Sequence, residues 1–115
     1  MIVHTFQIGK WRKVDLLDIP RLDITIKSGE WILAPTWSLL MAYRTGDINA
    51  EQYTEVYNAL LEERYALYPE YFKDLTQRTT VALGCYCKAG VFCHRLLLVE
   101  FLKSITGVEY AGEIT

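Results

Sequence analysis

The sequence predicts a small α/β domain, a mostly parallel sheet flanked by helices, and three observations carry that prediction. Short apolar runs at Ile2 to Ile8, Leu22 to Ile26 and Val81 to Leu83 have the length and patterning of strands. Helical stretches opening at Thr36 and Asn49 lie between the second and third of these runs and another follows the third, the alternation of an α/β domain. The stretch from Val81 to Leu98, VALGCYCKAGVFCHRLLL, reads as strand, tight loop and helix, with both flanks too apolar to be exposed. It holds all three cysteines, and its loop is expected at the carboxyl end of the central strand, where open α/β sheets bind ligands.

At 115 residues the chain is long enough for one ordinary core and too short for two, so residues 1–115 are read as a single domain. With 51% apolar and 23% charged residues it is not a disordered chain. No apolar run approaches the roughly 20 residues that span a bilayer, so no membrane partner is expected. The N-terminal MIVHTFQIGK has no basic leader or apolar signal core, and the cysteine count is odd. A reducing cytoplasm with free or metal-bound thiols is therefore expected. A formal charge of −2 offers no global field for polymeric nucleic acid, while a homo-oligomer is compatible with the sequence.

In chain order, Ile2 to Ile8 forms a first strand ended by Gly9. His4 within it reads as a half-buried strand residue, since nothing beside it offers a catalytic partner. Trp11 to Pro20 reads as a connecting segment closed by a proline that stops any helix. Leu22, Ile24 and Ile26 share one face of a second strand. Lys27, Ser28 and Gly29 end it, and their ammonium, hydroxyl and backbone can donate to an anion or form a plain solvated turn. Glu30 to Leu33 reads as a brief extended piece. Thr36 is the expected N-cap of a helix with Trp37 in its first turn and Gly46 as its stop. Asn49 and Gln52 have capping-box spacing. The helix they open carries Tyr53, Val56, Tyr57, Leu60 and Leu61 at helical spacing to about Leu67, a stripe that reads first as core. Pro69 breaks it, Glu70 to Leu75 adds a short helical turn, and Val108 to Ile114 is expected as a final edge strand.

In the cysteine loop, Cys85 and Cys87 share a face with Val81 and Leu83 if the strand continues that far. Cys93 lies near the start of the next helix, where unpaired amides and the macrodipole favour an anion. Lys88, His94 and Arg95 add fixed or switchable positive charge, so the loop has the make-up of a phosphate or carboxylate site. Zinc on Cys85, Cys87 and Cys93, with His94 as a fourth ligand, has the right ligand types. Its spacing is unusual, because neighbouring helix residues diverge by about 100°. There is no C-x-x-C for redox chemistry, and no arginine six residues after a cysteine. Cys93 as a nucleophile would need a base, for which the adjacent His94 is badly placed. Cys85 fits best as a small buried hydrophobe.

These residues resemble the small bacterial and phage proteins grouped as domain of unknown function 488. The resemblance covers Asp23 to Leu102 through TIKSG at 25–29, APTW at 34–37, the helix from Tyr53 to Tyr65, CYCK at 85–88 and FCHR at 92–95. It implies an α/β domain with these motifs gathered at one end of the sheet, and Lys27, Ser28, Trp37, Tyr53, Cys87, Lys88, Cys93, His94 and Arg95 as the matching positions. The expected function is binding of a small anionic, nucleotide-derived ligand, to sequester or sense it, with no resident cofactor. In that reading Lys27, Lys88 and Arg95 neutralise phosphate while Trp37 and Tyr53 stack on a base. The alternatives are a cysteine enzyme using Cys93 and His94, and a zinc-stapled interaction module.

Overall fold

A computed structural model describes residues 1–87 and 92–115. The elements are β1 (Ile2–Gln7), α1 (Trp11–Leu16), β2 (Arg21–Asp23), α2 (Trp37–Arg44), α3 (Ala50–Leu67), α4 (Pro69–Thr76), β3 (Thr80–Cys85), α5 (His94–Ile105) and β4 (Glu109–Ile114). The strands make one all-parallel sheet in the order β2-β3-β1-β4, so β1 and β3 are central. Their register pairs Val3 with Val81 and Thr5 with Leu83. Alternation then assigns each side chain to one of two layers. Val3, Val81, Leu83 and Cys85 enter the main core with Leu39 of α2, Tyr57 of α3, Phe72 of α4 and Leu98 of α5. Phe6 and Ala82 face the other way and meet Val14 of α1 in a smaller core. The α/β fold with helices on the sheet's faces is thus the one the sequence predicts.

Three local expectations are corrected. Trp11 to Pro20 is not merely a connector. Ile8–Lys10 forms a 3-10 turn and α1 follows, anchored by fully buried Val14, but six residues are too few to show a helical period. β2 stops at Asp23 rather than Ile26, because the Asp23 carboxylate captures the Thr25 amide at 2.8 Å and curls the chain. Glu30 to Leu33 is a turn, with the amides of Leu33 and Ala34 donating to the Glu30 carbonyl.

The caps match their sequence signals. Thr36 accepts from the Leu39 amide, and Asn49 and Gln52 form the reciprocal capping box. Pro69 opens α4, whose two turns bury Phe72 and Leu75 and exceed the single turn expected. On α3 the inner stripe is Tyr53, Tyr57, Leu61 and Arg64, whereas Val56 is half exposed. Among the described residues no helix is long and apolar enough to cross a membrane.

Candidate functional site

The site begins at the turn after β2. Asp23 Oδ2 accepts from Ser28 Oγ at 2.5 Å and Oδ1 from the Thr25 amide, while the Gly29 amide donates to the Thr25 carbonyl at 3.0 Å. A Cβ on residue 29 would stand 2.5 Å from the Asp23 carbonyl oxygen and the Thr25 nitrogen, so only glycine lets the chain close here. Burial pushes the Asp23 carboxyl up, but the hydrogen bonds from Ser28 and Thr25 outweigh it and hold it below its ordinary value. Ser28 thereby spends its hydroxyl on the turn, and Lys27 is left projecting at its tip.

One strand away, β3 delivers Cys85 into the core and α5 delivers Cys93 and His94 to the same point. Cys93 is the N-cap of α5 with φ −156° and ψ 149°, extended rather than helical. The expected 100° divergence from His94 therefore does not apply, and both side chains turn inward. Cys85 Sγ and Cys93 Sγ lie 2.7 Å apart, and Cys93 Sγ lies 3.6 Å from His94 Nδ1. His94 Nε2 donates to the Ile24 carbonyl at 2.8 Å, which fixes the tautomer and leaves the Nδ1 lone pair facing the sulfurs. Burial pushes the His94 imidazole below its ordinary value, so it is neutral rather than the positive charge expected of it.

Arg95, 1% exposed, donates from Nη1 to Cys85 Sγ at 2.8 Å and makes a two-point pair with Glu113 of β4, Nε to Oε1 at 3.1 Å and Nη2 to Oε2 at 3.2 Å. Hydrogen bonds from Cys85 and Cys93 draw the Cys87 thiol well below its ordinary range. Those same bonds, with burial, push Cys93 up. Cys87 sits two residues past Cys85, beyond the end of β3, so the shared strand face expected for the two does not extend to it.

Above this cluster lies a cavity of about 500 Å³. Its deeper wall is Thr25, Cys85 and His94, and its rim carries Lys27, Trp37, Arg44, Tyr86 and Cys87, with Ile26, Pro35 and Leu40 supplying apolar surface. Of the residues predicted for the site, Lys27, Trp37, Cys87 and His94 line the cavity. Ser28 holds the turn beside it. Tyr53 does not line it: only 3% exposed, it packs edge-on against Tyr43 and Phe92 in the core, because the face of α3 that carries it is covered by α2 and α5. Cys93 and Arg95 lie beneath the cavity, not on its wall. Lys88 lies outside the described residues. Arg44, Tyr86 and Thr25 were not foreseen. Arg44 carried a usable signal, since positions 37, 40 and 44 share one face of a helix.

No curated protein and no solved structure matches the chain significantly. Residues 23–106 match the DUF488-N3a family, described as the active DUF488-N3 subclade, and the match takes in the turn after β2, the start of α2 and the whole sulfur cluster. With this site inside the matched region, the chain belongs to the DUF488-N3a family.

Proposed function

We propose that the protein binds a small anionic, nucleotide-derived ligand in the cavity at the carboxyl ends of β2 and β3, sequestering or sensing it. One observation carries the reading: a single cavity brings together two cations, Lys27 and Arg44, and the indole of Trp37, which is 55% exposed. Cations and an open aromatic face are what a phosphate and a base require. The volume lies within the range of small-molecule sites. Tyr86 takes the second stacking place first assigned to Tyr53, and Arg44 takes the neutralising role first assigned to Arg95. Among the described residues that line the cavity there is no carboxylate, and the imidazole of His94 is tied to a carbonyl. That favours holding a ligand over proton transfer to it.

Titration calorimetry with nucleoside mono- and diphosphates, beside native mass spectra of the freshly purified protein, tests the reading. A nucleotide adduct, and an affinity that falls about 5- to 150-fold on Trp37→Ala as loss of one stacking platform costs, is the expected result. No adduct and no heat with any nucleotide would end the proposal.

A second reading, thiol-dependent turnover of such a ligand, is supported by the place of Cys87 at the cavity rim and by the family's description as active. It moves the nucleophile from Cys93 to Cys87. Cys87→Ser separates the two readings: a binder keeps its affinity, whereas a thiol enzyme keeps affinity and loses product formation.

A further inference from the structure

We propose that Cys85, Cys93 and His94 form a zinc site whose fourth position opens into the cavity. The three ligand atoms lie within 4.8 Å of one another, and all three residues are buried. Two thiols and an imidazole are the donor set that selects zinc among common divalent ions. The imidazole is already oriented as in metal sites, with one ring nitrogen donating to a backbone carbonyl and the other aimed at the sulfurs. Arg95 donates to Cys85 Sγ from outside the cluster and offsets the charge that two thiolates bring. Two thiolates on one tetrahedral zinc stand roughly 3.8 Å apart, so the present 2.7 Å must open by about 1 Å. A small χ1 rotation of Cys93, on its extended N-cap backbone, supplies that.

The cavity reaches Cys85 and His94, so the vacant coordination position points where a small ligand enters. Cys87 hydrogen-bonds to both sulfurs but lies outside the group of three mutually close ligand atoms, so the proposal does not take it as a ligand. The site goes beyond nucleotide binding and does not depend on it, because the metal alone is the probe.

The test is zinc and cobalt(II) binding by the intact chain under reducing conditions, read by native mass and by the cobalt absorption spectrum. One metal per chain, with thiolate-to-cobalt charge transfer and the intense visible bands of a four-coordinate ion, is expected. Cys85→Ser and Cys93→Ser should each weaken zinc binding by more than about 100-fold, the upper end of what loss of even an outer partner costs. Cys87→Ser should leave stoichiometry and spectrum intact. Because the serine variants at 85 and 93 put a hydroxyl into the buried core, the wild-type cobalt spectrum and the Cys87→Ser result stand as checks independent of their folding. A folded, reduced chain that takes up neither metal while all three thiols titrate overturns the proposal. So does a metal-free chain in which Cys85 and Cys93 are joined as a disulfide. Loss of metal in Cys87→Ser would overturn the open fourth position.

Discussion

Gly84 shows how a single missing side chain sets the packing beneath the site. It lies opposite Phe6 in the β1–β3 register, and a Cβ there would come within 2.6 Å of Phe6 Cε1 and 2.9 Å of Ile8 Cδ1. Gly84→Ala overpacks the smaller core and is expected to cost about 1–3 kcal/mol, read from chemical denaturation. A cost near zero would mean that Phe6 is free to move. Asp23 makes the second prediction at this scale. Its folded carboxyl sits below its ordinary value, so its contribution to stability is complete above about pH 4 and is lost as pH falls through the lower folded value. Asp23→Asn should flatten the acid limb of a melting-temperature profile between about pH 2 and pH 5, and an unchanged limb would remove Asp23 from the account. Motif residues such as Lys27, Trp37, Cys87 and His94 were legible because they stand in the TIKSG, APTW, CYCK and FCHR motifs through which the chain resembles its family. Asp23 was not, because an acid at a strand end looks like any solvated turn residue until its acceptors are seen to be occupied.

Helix α3 shows what periodicity delivers and what it hides. Its start and its inner tyrosines follow from the capping box and the helical spacing, but Arg64 belongs to the same buried face and a charge is read by default as outward. Burial is possible because Arg64 Nη1 donates to the carbonyls of Ile32 and Ala34, and the guanidinium lies 5.5 Å from the Trp31 ring centre. Tyr57 Oη donates to the Leu33 carbonyl at 2.6 Å beside them. Together the two side chains hold residues 32–34, the segment that leads into Pro35 and Trp37 at the cavity. Arg64→Met leaves two carbonyls without their donor and should destabilise the fold by about 2 kcal/mol, with Tyr57→Phe costing about 1 kcal/mol. Denaturant midpoints measured against the exposed control Glu62→Ala check this, and equal midpoints for Arg64→Met and the control would show that the segment is held by packing alone.

Over the whole molecule, the same polar network that orients the sulfur cluster also fastens the sheet's outer strand. The Arg95 guanidinium joins the first turn of α5 to Glu113 of β4, and Glu113 Oε1 also accepts from Thr5 Oγ1 of β1 at 2.6 Å, with Tyr110 Oη 2.6 Å from that same hydroxyl. A mostly parallel sheet with the Val81–Leu83 strand central and the last strand at an edge could be anticipated from the sequence, although the order β2-β3-β1-β4 could not. This tie could not, since Arg95 and Glu113 are 18 residues apart, and from the sequence Arg95 reads as a cation for the ligand and Glu113 as a surface charge. Its consequence is that β4, an edge strand lying beyond the matched family region, is linked energetically to the site. Glu113→Gln keeps the shape and removes the charge facing a guanidinium that is 1% exposed, although Glu113 itself retains 18% exposure. Partial exposure lowers the cost from that of a fully buried pair to about 2 kcal/mol. Glu109→Gln, on the exposed side of the same strand, should cost almost nothing. Thermal melts of the two variants decide the matter: a larger loss for Glu113→Gln makes β4 part of the site's scaffold, and equal losses would reduce it to a strand that merely covers the edge of β1.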